Sequence, residues 1–243
     1  PLVKDELIPF LLNSYKGNVK NYEFILFYNQ SESFLANEID KFKPKDIDIA
    51  YLASKGIIKL RYDKNSLSKN DHKEFINNIE EIFNEDILAY ENIEISTILS
   101  NLLKLNKLTL TTVESITGGL ISSKLTQNPG VSKNFISGDI VYTSESKSKL
   151  LNIDLNTDDW EELSIELCFA SLNKYKSNIS IAILGEAGPI THTKYPIGKI
   201  FIAISNNDNT QVTEHKLNGN RNEIIERAAN KAIWELIKFI KSL

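Results

Sequence analysis

The sequence is poor in sulfur-containing residues, and its charges of opposite sign nearly balance. Its 243 residues include no methionine and one cysteine, Cys168. A single cysteine excludes an intramolecular disulfide and is typical of a protein in a reducing compartment, so we expect the cytoplasm. Acidic residues outnumber basic ones by 32 to 28. This balance argues against sequence-independent binding of nucleic acid, which requires a basic face.

Three other kinds of feature are missing. No apolar run is long enough to span a bilayer, so we expect no membrane contact. The three histidines lie far apart without the spacing of metal ligands, which predicts no metal site. Cys168 lies between apolar neighbours in a predicted helix and is interpreted as a core residue. Without an initial methionine, Pro1 either follows the removal of one or begins a fragment.

Apolar periodicity predicts alternating strands and helices, and therefore an α/β fold. We expect a small α/β domain at 1–92 and a layered α/β/α domain at 93–243. In the smaller domain we predict strands at 21–28, 48–53 and 57–62 and helices at 31–42 and 66–84. In the larger one we predict strands at 108–113, 139–143, 179–184, 199–205 and 212–217 (the last at an edge) and helices at 96–105, 118–125, 145–151, 160–174 and 221–240.

The turn after the strand 108–113 is the first candidate site. Ser115 lies at the carboxyl end of this strand, and Gly118 and Gly119 open the next helix. Free N–H groups and the helix dipole at such a turn suit a phosphate or a developing oxyanion. Alternatively, Ser115 or Thr117 merely caps the helix and the glycines permit close packing.

Three further side chains could act beside this serine. Lys147 follows the strand 139–143 and could serve as a general base if burial lowers its pKa, although most lysines are simply solvated. Tyr142 could donate a hydrogen bond to a substrate or to the serine, or merely pack. Arg221 could clamp a phosphate or carboxylate, and the loop 185–189 could bind a ligand, although both segments could be plain turns.

Six segments, in order and with matching spacing, resemble the CinA C-terminal family, whose members deamidate nicotinamide mononucleotide. The family patterns are AESCTGG, PGSS, GxxxYSNExK, TGIAGP, KPVG and GDR. The corresponding segments here are Val113 to Gly119, Pro129 to Ser132, Gly138 to Lys147, Leu184 to Pro189, Tyr195 to Gly198 and Gly219 to Arg221.

This resemblance implies an amidase in residues 93–243. It implies Ser115 as the nucleophile, Lys147 as its base, Tyr142 as an assisting hydroxyl and Arg221 as a substrate clamp. The loops that match the family imply further substrate contacts at Thr117, Gly118, Gly119 and Gly188. A small nucleotide substrate, self-association into a homo-oligomer, and no cofactor or metal follow from the same resemblance.

The first half resembles the family's KH-like connecting domain. Residues 31–35 resemble its GESxL element, and residues 1–9 resemble the segment that leaves the family's larger N-terminal domain. The chain would then be a two-domain piece of a longer protein. A KH domain that binds nucleic acid needs a GxxG loop. No such loop occurs here, and residues 1–91 carry 12 basic against 16 acidic residues, so we expect no RNA binding.

The sequence departs from the family pattern at several positions. Ile116 replaces the family's cysteine, Leu184 and Glu186 replace threonine and isoleucine, and an expected HGAVS block is missing. A carboxylate about 4–6 Å from a substrate phosphate would cost roughly one to a few kcal/mol. Glu186→Ile should then tighten KM for the nucleotide, unless Glu186 points away or pairs with a base such as Lys194. Two alternatives remain open: a catalytically silent binding or assembly module, or an amidase for another small amide.

Overall fold

The computed structural model describes residues 3–10, 20–45, 47–152, 157–191 and 193–243. The strands are β1 (Tyr22–Tyr28), β2 (Ile49–Ser54), β3 (Ile57–Asp63), β4 (Ile87–Ala89), β5 (Leu110–Glu114), β6 (Phe135–Ile140), β7 (Ile179–Gly185), β8 (Lys199–Ser205) and β9 (Thr210–Lys216). The α-helices are α1 (Glu32–Ile39), α2 (Lys69–Phe83), α3 (Ile95–Leu105), α4 (Leu120–Thr126), α5 (Ser144–Leu151), α6 (Trp160–Tyr175) and α7 (Arg221–Lys241).

The first sheet has the order β2-β3-β1-β4, and its neighbouring strands are antiparallel. Lys55 and Gly56 connect β2 to β3 with positive φ angles of 53° and 85°, as a tight hairpin requires. Helices α1 and α2 pack against one face of this sheet. The core between them includes Phe27 of β1, Leu60 of β3 and Phe75 of α2. The strand β4 was not predicted, because three apolar residues are too few to show a periodicity.

Helix α1 is shorter than the predicted 31–42. Ser31 caps it by accepting a hydrogen bond from the Phe34 N–H at 3.1 Å, and the helix ends at Ile39. Near the end of the helix, the Glu38 carboxylate pairs with the Lys41 amine at 2.5 Å.

Helix α2 is also shorter than predicted, since it spans Lys69–Phe83 rather than 66–84. Its N-cap is Ser68, whose hydroxyl accepts a hydrogen bond from the Asp71 N–H at 3.2 Å. The residues just before it, Lys64–Ser66, form a separate 3₁₀ turn. A serine that satisfies the first free N–H groups sets the start of the helix here.

The second sheet has the order β6-β5-β7-β8-β9, in which β6, β5 and β7 run parallel and β8 and β9 are antiparallel to their neighbours. Along β7, Ile179, Ile181 and Ile183 face the core shared with α3, α4 and α7. Ala182 and Leu184 face the opposite core with α6. Both faces are therefore covered, which explains the nearly continuous apolar runs and gives the layered α/β/α arrangement.

The edge strand β6 lies earlier than predicted, at Phe135–Ile140 rather than 139–143. Its ladder ends where the Val141 N–H donates to the Glu114 carbonyl at 2.9 Å. The next residues leave the sheet, and Thr143 becomes the N-cap of α5. The strand β9 confirms the predicted edge strand near 212–217.

Cys168 is buried in the core of the second sheet, as predicted. Its thiol donates to the Ser180 carbonyl at 3.1 Å. Burial raises the pKa of the Cys168 thiol to about 11, which keeps it protonated and unreactive.

Helices α3 and α7 form a layer between the two sheets, and their apolar residues share one core with side chains from both. The rings of Tyr28 (β1) and Trp234 (α7) lie 5.3 Å apart, and the Asn230 side chain donates to the Lys55 carbonyl at 3.0 Å. The domain division at 92/93 and the KH-like character of the first half stay predictions.

Within the described ranges, no helix combines the length and apolar character needed to cross a membrane.

Candidate active site

The topology of the second sheet brings the predicted functional segments to one edge. Strands β5, β6 and β7 are parallel, so Ser115, Tyr142 and Glu186 all follow the carboxyl ends of their strands at this edge. Because β8 is antiparallel to β7 and to β9, the carboxyl end of β9 also points there, and Arg221 follows it. Ligands of open α/β sheets bind at such an edge.

These residues line a cavity of about 560 Å³. Four of the eight residues that the sequence predicts for the site line this cavity: Ser115, Tyr142, Lys147 and Arg221. The cavity is lined by Ser115, Ile116, Tyr142, Ser144, Lys147, Thr157, Asp158, Trp160, Leu163, Gly185, Glu186, Ala187, Thr193, Lys194 and Arg221.

The backbone holds Ser115 at this edge. Its N–H donates to the Ile183 carbonyl at 3.1 Å, which continues the ladder between β5 and β7. Its carbonyl accepts from the Gly118 N–H at 3.1 Å, which closes a tight turn. Ser115 is 8% exposed, and within the described part of the chain its hydroxyl has no hydrogen-bond partner. The hydroxyl is therefore available to a ligand.

Glu114, which precedes this serine, is fully buried and was not singled out from the sequence. Its carboxylate accepts hydrogen bonds from the Thr117 hydroxyl at 2.7 Å and from the N–H groups of Ile121 and Ser122 at 3.0 and 2.8 Å. The free N–H groups at the start of α4 therefore receive a buried anion from the protein itself. Neither Ser115 nor Thr117 caps this helix with its side chain; Glu114 does.

Lys147 is 9% exposed on α5. Its amine donates to the Tyr142 carbonyl at 3.4 Å, and the described residues include no carboxylate within ion-pairing distance of it. Burial lowers the pKa of the Lys147 amine from its ordinary value of 10.5. A lysine with a lowered pKa is the form that can accept a proton from a serine.

Arg221, the first residue of α7, connects two loops of the cavity. One of its guanidinium nitrogens donates to the Tyr142 hydroxyl at 2.7 Å, and the other donates to the Gly188 carbonyl. Asn220 caps the same helix and forms a reciprocal capping box with Glu223. The guanidinium is thereby held at the cavity wall, and its remaining N–H groups are free to bind an anionic group.

The other predicted substrate contacts do not belong to the cavity lining. The Thr117 hydroxyl is bound to Glu114, and the Gly118 N–H is bound to the Ser115 carbonyl. Gly119 is the N-cap of α4, with a φ of 95°. Gly188 is buried and contributes its carbonyl to Arg221. Direct substrate contact by these four residues stays a prediction.

Comparison with known proteins shows which family the chain belongs to. The family model described as the CinA C-terminal domain matches residues 92–240. The chain belongs to the CinA family.

Two CinA-like proteins illustrate the relationship. The one from Flavobacterium psychrophilum is 32% identical over 98% of this chain and 60% of its own length. The one from Fusobacterium nucleatum is 30% identical over 96% of this chain and 61% of its own length. The chain therefore spans about 60% of the length of the curated relatives it matches.

Solved structures of the CinA family share the fold. A CinA superfamily protein from Escherichia coli matches with a TM-score of 0.57 and 24% identity, over 60% of this chain and 88% of that one. A competence or damage-inducible protein from Enterobacter asburiae matches with a TM-score of 0.57 and 25% identity, over 60% of this chain and 96% of that one.

Glu186, which departs from the CinA pattern, lines the cavity. Its carboxylate accepts long hydrogen bonds from the Gly188 N–H (3.3 Å), the Thr191 hydroxyl (3.4 Å) and the Thr193 hydroxyl (3.5 Å). The suggested pairing with Lys194 is wrong, since the Lys194 amine bonds to Asp158 at 2.9 Å.

Sequence reasoning also missed Trp160, which lines the cavity. The Trp160 ring stacks on the Tyr195 ring, with centroids 4.6 Å apart. The backbone N–H of Trp160 donates to the Tyr195 hydroxyl at 3.0 Å. The two residues are 35 positions apart, so no local pattern could have indicated the contact.

Among the described residues, no group of three His, Cys, Asp or Glu side chains is arranged to hold a metal ion.

Proposed function

We propose that this chain hydrolyses the carboxamide of nicotinamide mononucleotide to nicotinate mononucleotide and ammonia. The observation that carries the proposal is that Ser115 and Lys147 line the same cavity. The serine hydroxyl is unbonded, and burial lowers the pKa of the lysine amine. A serine activated by a neutral lysine is a known arrangement for attack on an amide.

In the first half of the proposed reaction, the Ser115 oxygen attacks the carbonyl carbon while its proton passes to the Lys147 amine. The carbonyl oxygen becomes an oxyanion. We assign the Ile116 N–H as one donor to it, because Ile116 lines the cavity and its N–H has no partner within the described chain. The C–N bond then breaks, and the leaving nitrogen takes the proton from Lys147 to become ammonia.

In the second half, water attacks the acyl-serine and passes a proton to Lys147. The C–O bond to Ser115 breaks, and the serine oxygen recovers the proton from Lys147. The carboxylic acid releases its remaining proton to solvent and leaves as the carboxylate. Arg221 binds the substrate phosphate through the N–H groups not used by Tyr142 and Gly188, next to the positive end of α7. No step uses a cofactor.

Ammonia release from nicotinamide mononucleotide tests the proposal. Ser115→Ala and Lys147→Ala should each reduce turnover by about a thousandfold or more, because the nucleophile and its base act as a unit. Ser144→Ala is the matched control, because Ser144 lines the same cavity and should keep turnover within a few-fold of the wild type. Undiminished turnover in Ser115→Ala would remove the nucleophile assignment.

A catalytically silent member of the family is the second candidate. The observation that favours it is Glu186, whose carboxylate lines the cavity where the family pattern has isoleucine. If the wild-type protein releases no ammonia from nicotinamide mononucleotide, this result would support a catalytically silent protein.

A further inference from the structure

Two carboxylates of the described residues line the cavity, those of Asp158 and Glu186, and their surroundings differ. The Asp158 carboxylate lies 2.9 Å from the Lys194 amine, so its charge is balanced by the protein. Among the described residues, Glu186 accepts hydrogen bonds only from the neutral donors named above. No lysine, arginine or histidine of the described chain forms an ion pair with it. Within the described part of the chain, Glu186 is therefore a cavity carboxylate without a counter-charge.

A carboxylate without a counter-charge in a cavity wall favours a ligand that carries positive charge. The same cavity contains the indole of Trp160, held in position by its stack on Tyr195. An indole face attracts cations more strongly than other aromatic rings do. Glu186 and Trp160 together suit a flat ring with a positive charge, and Arg221 suits an anionic group.

We propose that Glu186 recognises the positive charge of the substrate's ring, and that the cavity selects carboxamides attached to cationic nitrogen heterocycles. The inference rests on the proposed function, because nicotinamide mononucleotide carries its carboxamide on a pyridinium ring. The substrate phosphate is assigned to Arg221, which also lines the cavity. Glu186 is then a specificity-determining residue and not an obstacle to binding.

The test compares two ligands that differ in ring charge. Oxidised nicotinamide mononucleotide has a cationic ring, and its reduced dihydropyridine form has a neutral one. Calorimetry measures Kd for both with Ser115→Ala, which prevents turnover, and with Ser115→Ala combined with Glu186→Gln. We expect a preference for the oxidised ligand of roughly tenfold, reduced to within about twofold by Glu186→Gln.

Asp158→Asn is the matched control, because it removes a carboxylate of the same cavity that Lys194 already balances. It should leave the preference within about twofold of its original value. Differences in ring shape between the two ligands cancel, because the comparison is between variants.

An unchanged preference for the oxidised ligand after Glu186→Gln would overturn the inference. Tighter binding of the oxidised ligand after Glu186→Gln would also overturn it, because it would place the phosphate beside Glu186. Failure of both ligands to bind would also overturn it. The proposed function fails separately: if the wild-type protein releases no ammonia but the preference depends on Glu186, the inference stands as a binding property. If ammonia is released and the preference ignores Glu186, only the inference fails.

Discussion

The Arg221 guanidinium donates a hydrogen bond to the Tyr142 hydroxyl at 2.7 Å and so joins the start of α7 to the loop after β6. A hydroxyl that accepts this bond keeps its own proton available to donate. Tyr142 can therefore donate toward the reacting groups of the cavity.

Replacing this hydroxyl tests that role. Tyr142→Phe should lower kcat at least about tenfold, because a positioned proton donor in the transition state is lost. Steady-state kinetics with nicotinamide mononucleotide separates kcat from KM. A higher KM with an unchanged kcat would mean that Tyr142 only holds Arg221 in place.

The pKa of Lys147 predicts the pH dependence of turnover. The base must be neutral, so kcat/KM should rise with pH and level off above the pKa of the Lys147 amine. Because burial lowers this pKa, the midpoint should lie below 10.5. A pH–rate profile measures it.

A guanidinium stays protonated at these pH values, so Lys147→Arg should be inactive throughout the profile. Lys149→Arg is the matched control on the same helix, since Lys149 is exposed and pairs with Glu145 at 2.7 Å. A Lys147→Arg protein that retained the wild-type profile would contradict the assignment of the base.

Glu114 should support both the stability of the protein and the placement of Ser115. Glu114→Gln keeps the size of the side chain but removes the charge and one acceptor from buried N–H groups. We expect the free energy of unfolding to fall by about 2–4 kcal/mol, and kcat/KM to fall because the turn that carries Ser115 shifts.

Chemical denaturation and kinetics at a temperature where the variant stays folded measure the two effects. Ser123→Ala, at an exposed position of the same helix, should change each only slightly. Wild-type stability in Glu114→Gln would show that the bonds of this carboxylate contribute little.

His215 should make stability depend on pH. Burial, reinforced by the nearby Lys231, lowers the pKa of His215 from 6.5 to about 4. Glu235 at 3.5 Å acts in the opposite direction but is itself paired with Lys231 and Lys238. Between these pH values the unfolded chain binds the proton and the folded chain does not. The free energy of unfolding should therefore fall as pH falls from 6.5 to 4.

The contribution of this histidine is on the order of 2–3 kcal/mol across that interval. His215→Gln should remove it and flatten this part of the profile. Urea denaturation of both proteins at several pH values between 4 and 7 makes the comparison. Parallel profiles for the two proteins would assign the acid sensitivity to other groups.

The sequence by itself determined the order of the elements apart from β4, and it predicted the edge of the sheet at which the candidate site lies. Apolar runs such as Ile179–Gly185 predict strands covered on both faces, and the carboxyl ends of parallel strands must meet at one edge. That is why Ser115, Lys147 and Arg221 could be placed near one another before any contact was known.

Only the tertiary structure decided what surrounds each of these groups. The cap formed by Glu114, the stack of Trp160 on Tyr195, and the missing counter-charge of Glu186 all depend on how separate segments pack. The same holds for the helical layer shared by the two sheets. Local periodicity carries no information about such contacts, because a hydrogen bond or an ion pair depends on distances in space that residues far apart in sequence reach only after folding.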